Sequence, residues 1–259
     1  LKFSLEVRHG PENARAFAEK LRTSIASAGG EVIDPGDSRA PDFVLAVGGD
    51  GTVLAAAQRA IEHDVPLLGF NLGTMGFLAE AEPDDLVEAV DRLMTGDYEL
   101  SERLTVTATV NGEAVTGVND VVVEKVDSQR LIHLDVSVDG AHFLTYRADG
   151  LIIATPTGST AYSFSARGPL VDPAVNALIL TPVAAHSLFD RTLVLRPETR
   201  LSIQVVRDRP VKVTVDKIDM GLLGEGEKVE VEQGLRPVRF VRFRHRTFSG
   251  LITDKFGLT

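Results

Sequence analysis

The chain has 259 residues, 44% hydrophobic and 25% charged, with 27 Lys+Arg against 37 Asp+Glu for a net charge of −10. This suits one large or two ordinary folded domains, and the acidity argues against duplex DNA or an anionic membrane as partner, since both require a basic surface. There is no cysteine, which excludes a disulfide framework and a thiolate zinc site.

No apolar run approaches bilayer length and the first residues lack a signal-peptide layout, so the cytoplasm is the expected compartment. Leu1 stands where a start methionine is expected, which puts the natural start upstream.

Residues 2–7 alternate as a strand. Pro11 opens a helix with Ala14, Phe17, Ala18 and Leu21 at helical spacing, and Gly29-Gly30 stops it. Residues 31–33 form a short strand. The uninterrupted apolar run 43–47 marks a strand buried on both faces of a parallel sheet. It enters Gly48-Gly49-Asp50-Gly51-Thr52, and 53–61 continues as an Ala-rich helix. Residues 66–70 read as the next buried strand and 84–94 as the next helix. The order β-α-β-β-α-β-α predicts an open α/β domain.

Beyond Tyr98 the period changes to two, over 105–110, 118–123, 131–138 and 143–153, with Asn111-Gly112 and Asp139-Gly140 as hairpin turns. Further strands are predicted at 193–195, 201–206, 211–215 and 229–231, with one helical excursion over 159–180. Five arginines and two phenylalanines in 236–246 read as a strand with a solvated basic face. Residues 248–256 read as a short helix returning to the first domain.

Glycines let a backbone approach phosphate closely, and the N–H groups at a helix start attract anions. An aspartate in the 48–52 turn makes sense if it accepts a proton from an attacking hydroxyl or holds a nucleotide's magnesium. Turns of this sequence also occur in diacylglycerol and sphingosine kinases and, in a close form, in phosphofructokinases. The turn alone therefore says phosphoryl transfer or phosphate binding without naming the acceptor. No Walker P-loop and no G-x-G-x-x-G is present. A second constellation, Thr155-Pro156-Thr157-Gly158-Ser159-Thr160-Ala161-Tyr162, follows Asp149-Gly150. Its hydroxyls suit ribose, phosphate oxygens and an adenine edge, and Tyr162 offers a flat face and a phenol.

With Leu-Gly-Thr-Met-Gly-Phe-Leu at 72–78 and Asn119-Asp120, these motifs lie in the order and approximate spacing of the NAD kinase family, which the chain resembles nearly end to end. The resemblance implies a Rossmann-like open α/β domain over 1–99, joined by 245–259. A β-rich, sandwich-type NAD-binding domain over 100–244 follows it. It implies transfer of a phosphoryl group from ATP or polyphosphate to the 2′-hydroxyl of NAD's adenosine ribose, with Mg²⁺ arriving on the donor. A homodimer or homotetramer is implied, with neither nucleic acid nor membrane as partner.

Position by position, Asp50 matches the general base, while Gly48, Gly49, Gly51 and Thr52 match the phosphate approach. Phe77 matches an aromatic against adenine, and Asn119 a polar contact to the NAD ribose or adenine. Asp120 stands where the family usually has Glu. Asp149, with Arg147 beside it, matches the nicotinamide end. Thr160, Ala161, Tyr162 and Ser165 match the dinucleotide wall, and Ala184 and Ala185 match small residues on the nicotinamide side. Arg167 replaces a common glycine, Asp216-Lys217 a frequent Asp-Gly, and His186 reads as structural. The rival readings are a lipid or sugar kinase with the same turn, and a non-catalytic NAD(P)-binding regulator.

Overall fold

The computed structural model describes residues 1–259 except Gly10, Pro11, Pro35, Gly36, Ser38, Thr74, Met75, Ser128, Leu188, Asp208, His245, Arg246 and Thr259. Pro11 as helix opener, Thr74-Met75 of the 72–78 motif and Arg246 of the basic segment thus lie outside the described residues. The chain divides into two compact units, Leu1–Arg103 with Pro237–Thr259, and Leu104–Arg236.

In the first unit, apolar runs become buried parallel strands and amphipathic segments cover them. Its elements begin β1 (Lys2–Val7), α1 (Glu12–Ser27), β2 (Glu31–Ile33), β3 (Phe43–Gly48), α2 (Asp50–His63) and β4 (Leu67–Asn71), and continue through α3 (Leu86–Thr95) to β5 (Glu99–Arg103). All of β3 and β4 is buried, as a strand covered on both faces requires. A 3₁₀ turn at Pro83–Asp85 precedes α3, so the single helix expected over 84–94 has a distinct first turn.

The second unit is antiparallel throughout. It contains β6 (Val106–Val110), β7 (Glu113–Gly117), β8 (Asp120–Lys125), β9 (Ile132–Val138), β10 (Ala141–Ala148), β11 (Gly150–Ala154), α4 (Tyr162–Ser165), β12 (Leu178–Val183), β13 (Leu193–Leu195), β14 (Leu201–Val205), β15 (Val211–Val215), β16 (Ile218–Leu223) and β17 (Lys228–Gln233). Two six-stranded sheets, ordered β10-β9-β14-β17-β6-β7 and β13-β12-β11-β8-β15-β16, bury their alternating apolar residues in one shared core.

Two expectations fail here. The single strand expected over 143–153 is two strands in different sheets, with Asp149 at the corner. The core-facing positions slip by one residue at the corner, from Tyr146 and Ala148 in β10 to Leu151 and Ile153 in β11, and all of β11 is buried. The helical excursion over 159–180 shrinks to a 3₁₀ turn at Thr157–Thr160 and the single turn of α4, and β12 begins at Leu178.

The chain then returns to the first unit with β18 (Val238–Arg242) and α5 (Phe248–Phe256), and the first sheet runs β2-β1-β3-β4-β18-β5. The basic face expected to be solvated is instead neutralised. Arg239 pairs with Asp64 at 3.0 Å, Arg242 with Glu80 at 2.9 Å and Arg244 with Asp85 at 3.1 Å. Glu80 is buried and also accepts the Phe243 and Arg244 N–H groups, which fixes the chain after β18 to the loop after β4. Among the described residues, no helix is long and apolar enough to cross a membrane.

Candidate active site

In the first unit, β3 delivers the chain to Gly48 and α2 starts at Asp50, with Gly49 as its extended N-cap. A Cβ on Gly48 would collide with the Thr52 side chain, so this glycine answers to packing. Gly49 and Gly51 differ: nothing lies within 4 Å of where their Cβ atoms would be, and both border open space.

The Asp50 carboxylate is gripped from one side. The Phe77 N–H donates to Oδ2 at 2.9 Å and the Leu78 N–H to Oδ1 at 3.1 Å. A Cβ on Gly76 would sit on the carboxylate itself, so glycine there is what admits it. One lone pair on each oxygen is used, and the rest stay available to a hydroxyl. An acid in the first turn of α2 also suits the helix dipole. Phe77 thus contributes its backbone to Asp50, a role its side chain did not suggest. Its half-buried ring has the Lys255 ammonium 5.6 Å from its centre.

In the second unit, the organising group is Asp216, in the left-handed turn between β15 and β16. Its carboxylate accepts N–H groups from Val118 at 2.6 Å, Asn119 at 2.8 Å and Asp120 at 3.2 Å. On the other side of this segment the Thr155 hydroxyl donates to the Val118 carbonyl at 2.5 Å, and the Thr155 N–H to that of Asn119 at 2.9 Å. A Cβ on Gly158 would overlap the Asn119 carbonyl. The 118–120 segment is therefore clamped from both sides.

This corrects the reading of the hydroxyl run. Thr155 and Ser159 are fully buried and spend their hydroxyls inside the fold, Ser159 on the backbone of Val171 at 3.0 and 3.2 Å. The Thr160 hydroxyl donates to the Thr157 carbonyl at 3.2 Å. Ala161, Tyr162 and Ser165 follow; Tyr162 and Ser165 are exposed and Ala161 half-buried. Burial raises the Tyr162 phenol, and Glu124, Asp149 and Asp120 push it the same way, which places three carboxylates in its surroundings. Asp149, at the corner between the sheets, pairs with Lys125 at 2.5 Å, a partner that the sequence reading did not single out. Arg147 is exposed, and its carbonyl accepts the His186 N–H at 2.7 Å. Ala185 packs on the core, and Ala184 and Arg167 take left-handed backbone.

Burial pushes the Asp120 carboxyl up to about 7, and the neighbouring Asp216 charge acts in the same direction. Burial raises the Asp216 carboxyl as well, but its three N–H donors oppose that shift and favour the anion, and Asp120, which has no such donors among the described residues, holds the proton. The folded chain then keeps a proton that the unfolded chain releases near pH ~4. Stability consequently falls as pH rises from that value to about 7. Asp120→Asn is expected to flatten this slope, measured as urea midpoints at pH 5 and pH 8; an unchanged slope would exclude Asp120 as its source.

Among the described residues, no three His, Asp or Glu side chains are grouped to hold a metal ion. Two family profiles match the chain, the ATP-NAD kinase N-terminal domain over residues 14–98 and the ATP-NAD kinase C-terminal domain over residues 118–243. NAD kinase 2 of Streptomyces avermitilis is 44% identical over 223 residues, covering 84% of this chain and 74% of the relative. The NAD kinase of Thermococcus sibiricus is 41% identical over 208 residues, 80% of this chain and 75% of the relative. Among solved structures, yeast NADH kinase complexed with NADH superposes with a TM-score of 0.90 at 24% identity, over 100% of this chain and 88% of that one. An Archaeoglobus fulgidus NAD kinase in complex with ATP gives 0.79 at 23% identity, over 99% and 98%.

Proposed function

This chain belongs to the NAD kinase family, and on that premise we propose that Asp50 takes the proton of NAD's adenosine 2′-hydroxyl as a phosphoryl group passes to it from ATP. The activity is that of an NAD kinase, with NADP as product. The observation that supports Asp50 in this role is its fixed carboxylate beside glycines that border open space.

A ribose hydroxyl is too weak an acid to be ionised beforehand by a carboxylate. Asp50 therefore orients the hydroxyl and accepts its proton late, as the phosphoryl group loosens from its donor. Most of the acceleration comes from positioning and charge neutralisation. Magnesium supplies charge neutralisation at the donor phosphates. With no group of three carboxylates or histidines among the described residues to hold it, the ion would arrive on those phosphates.

Gly49 and Gly51 leave room for phosphate. In the second unit, the clamped Asn119 with Asp120 meets the ribose or adenine region, and Thr160, Ala161, Tyr162 and Ser165 form a wall for the dinucleotide. Asp149, Arg147 and Ala185 serve its nicotinamide end.

The test is incubation of the pure protein with NAD, ATP and Mg²⁺. NADP is the expected product; phosphorylated diacylglycerol or sphingoid base in its absence would show a different acceptor.

A further inference from the structure

A second cavity, of about 690 Å³, opens in the second unit, and its lining includes Arg130, Arg147, Arg207, Arg209, His133 and Gln129. The fold gathers these residues from three places. His133 stands opposite Arg147 across β9 and β10. The Val206 N–H donates to the His133 carbonyl at 3.1 Å, which carries the segment after β14 to the same spot. Arg209 donates to the Leu131 carbonyl at 2.5 Å and so ties that segment to the start of β9.

Six other guanidinium groups, those of Arg39, Arg92, Arg200, Arg239, Arg242 and Arg244, each have a carboxylate within 3.2 Å. Among the described residues, none of the four cavity arginines has a carboxylate within 4 Å. Asp208 lies outside the described residues, and counting it in full still leaves the cluster strongly cationic. The His133 Nδ1 is buried with no hydrogen-bond partner among the described residues. Burial and the three nearby arginines hold that imidazole below its ordinary value, and hence neutral. In a chain of net charge −10, so concentrated a cationic pocket is costly by self-repulsion unless an anion fills it.

Guanidinium forks match phosphate oxygens two bonds at a time, and four of them exceed what one phosphate uses. We propose that this cavity binds an anion of linked phosphate groups, either inorganic or the phosphate tail of a nucleotide. The inference is independent of the role given to Asp50; because Arg147 is shared with the proposed dinucleotide site, the test falls on Arg130 and Arg207.

Titration calorimetry on the full chain tests it, with sodium tripolyphosphate and ATP as separate probes. Saturable binding of tripolyphosphate is expected, with chemical shift changes at the His133 ring. The Arg130→Gln/Arg207→Gln double variant should weaken it on the order of a hundredfold, at an unchanged melting temperature. Arg130→Gln alone, on the exposed rim, serves if the double variant does not fold. Tripolyphosphate binding weakened in the variant with no change in the ATP isotherm assigns the inorganic source, and loss of a second equivalent of ATP, with donor-site ATP retained, assigns the nucleotide tail. Unchanged affinity in the variants, or a His133 ring unmoved by saturating probe, overturns the proposal and leaves NADP formation as the separate test of the kinase reading.

Discussion

Asp50→Asn is expected to lower kcat by about 10²- to 10⁴-fold, the usual range for loss of a general base, while NAD still binds. The carboxamide keeps the shape and loses the ability to take a proton. It also keeps only one oxygen for two backbone donors: the Phe77 and Leu78 N–H groups each meet a carboxylate oxygen now, and one would face an amide NH₂. That mismatch costs about 1–3 kcal/mol, so a modest fall in melting temperature accompanies the loss of turnover. Steady-state kinetics with calorimetry of NAD binding separates the two effects. Full activity in the variant would remove Asp50 from the chemistry.

Asp216→Ala should be the most damaging substitution for stability in the second unit, at about 3–5 kcal/mol. It strands three N–H donors, those of Val118, Asn119 and Asp120, and puts alanine in left-handed backbone at φ 47°. Asp216→Asn is expected to cost much less. An amide oxygen in the Oδ1 place still serves Asn119 and Asp120, only Val118 meets the NH₂, and asparagine tolerates the left-handed turn. KM for NAD is expected to change little in this milder variant, where Asn119 keeps its acceptor, and to rise in Asp216→Ala, where it loses it. Equal urea midpoints for both variants and the wild type would show that Asp216 does not hold the segment.

The parts legible in the sequence were those written in local pattern. The apolar run ending at Gly48 announced a buried strand, and the glycines after it announced a turn into a helix. Two features escaped because they depend on contacts between distant residues. Asp216 lies 98 residues beyond Val118, whose N–H it accepts, and no periodicity connects them. The corner at Asp149 shows in the sequence only as a one-residue slip of phase between Ala148 and Leu151, so β10 and β11 read as one strand although they join different sheets. Side-chain type alone did not separate Thr155 and Ser159, which brace the fold, from Tyr162, which faces outward.

The insertion of β18 between β4 and β5 has a consequence for biosynthesis. Leu104–Arg236 is one continuous stretch, so all its strands have been translated before Val238 leaves the ribosome. Until Val238–Arg242 arrives, β4 presents an open row of backbone donors and acceptors, the kind of edge on which nascent chains misassociate. Translation therefore completes Leu104–Arg236 first, and the sheet that carries Asp50 closes last.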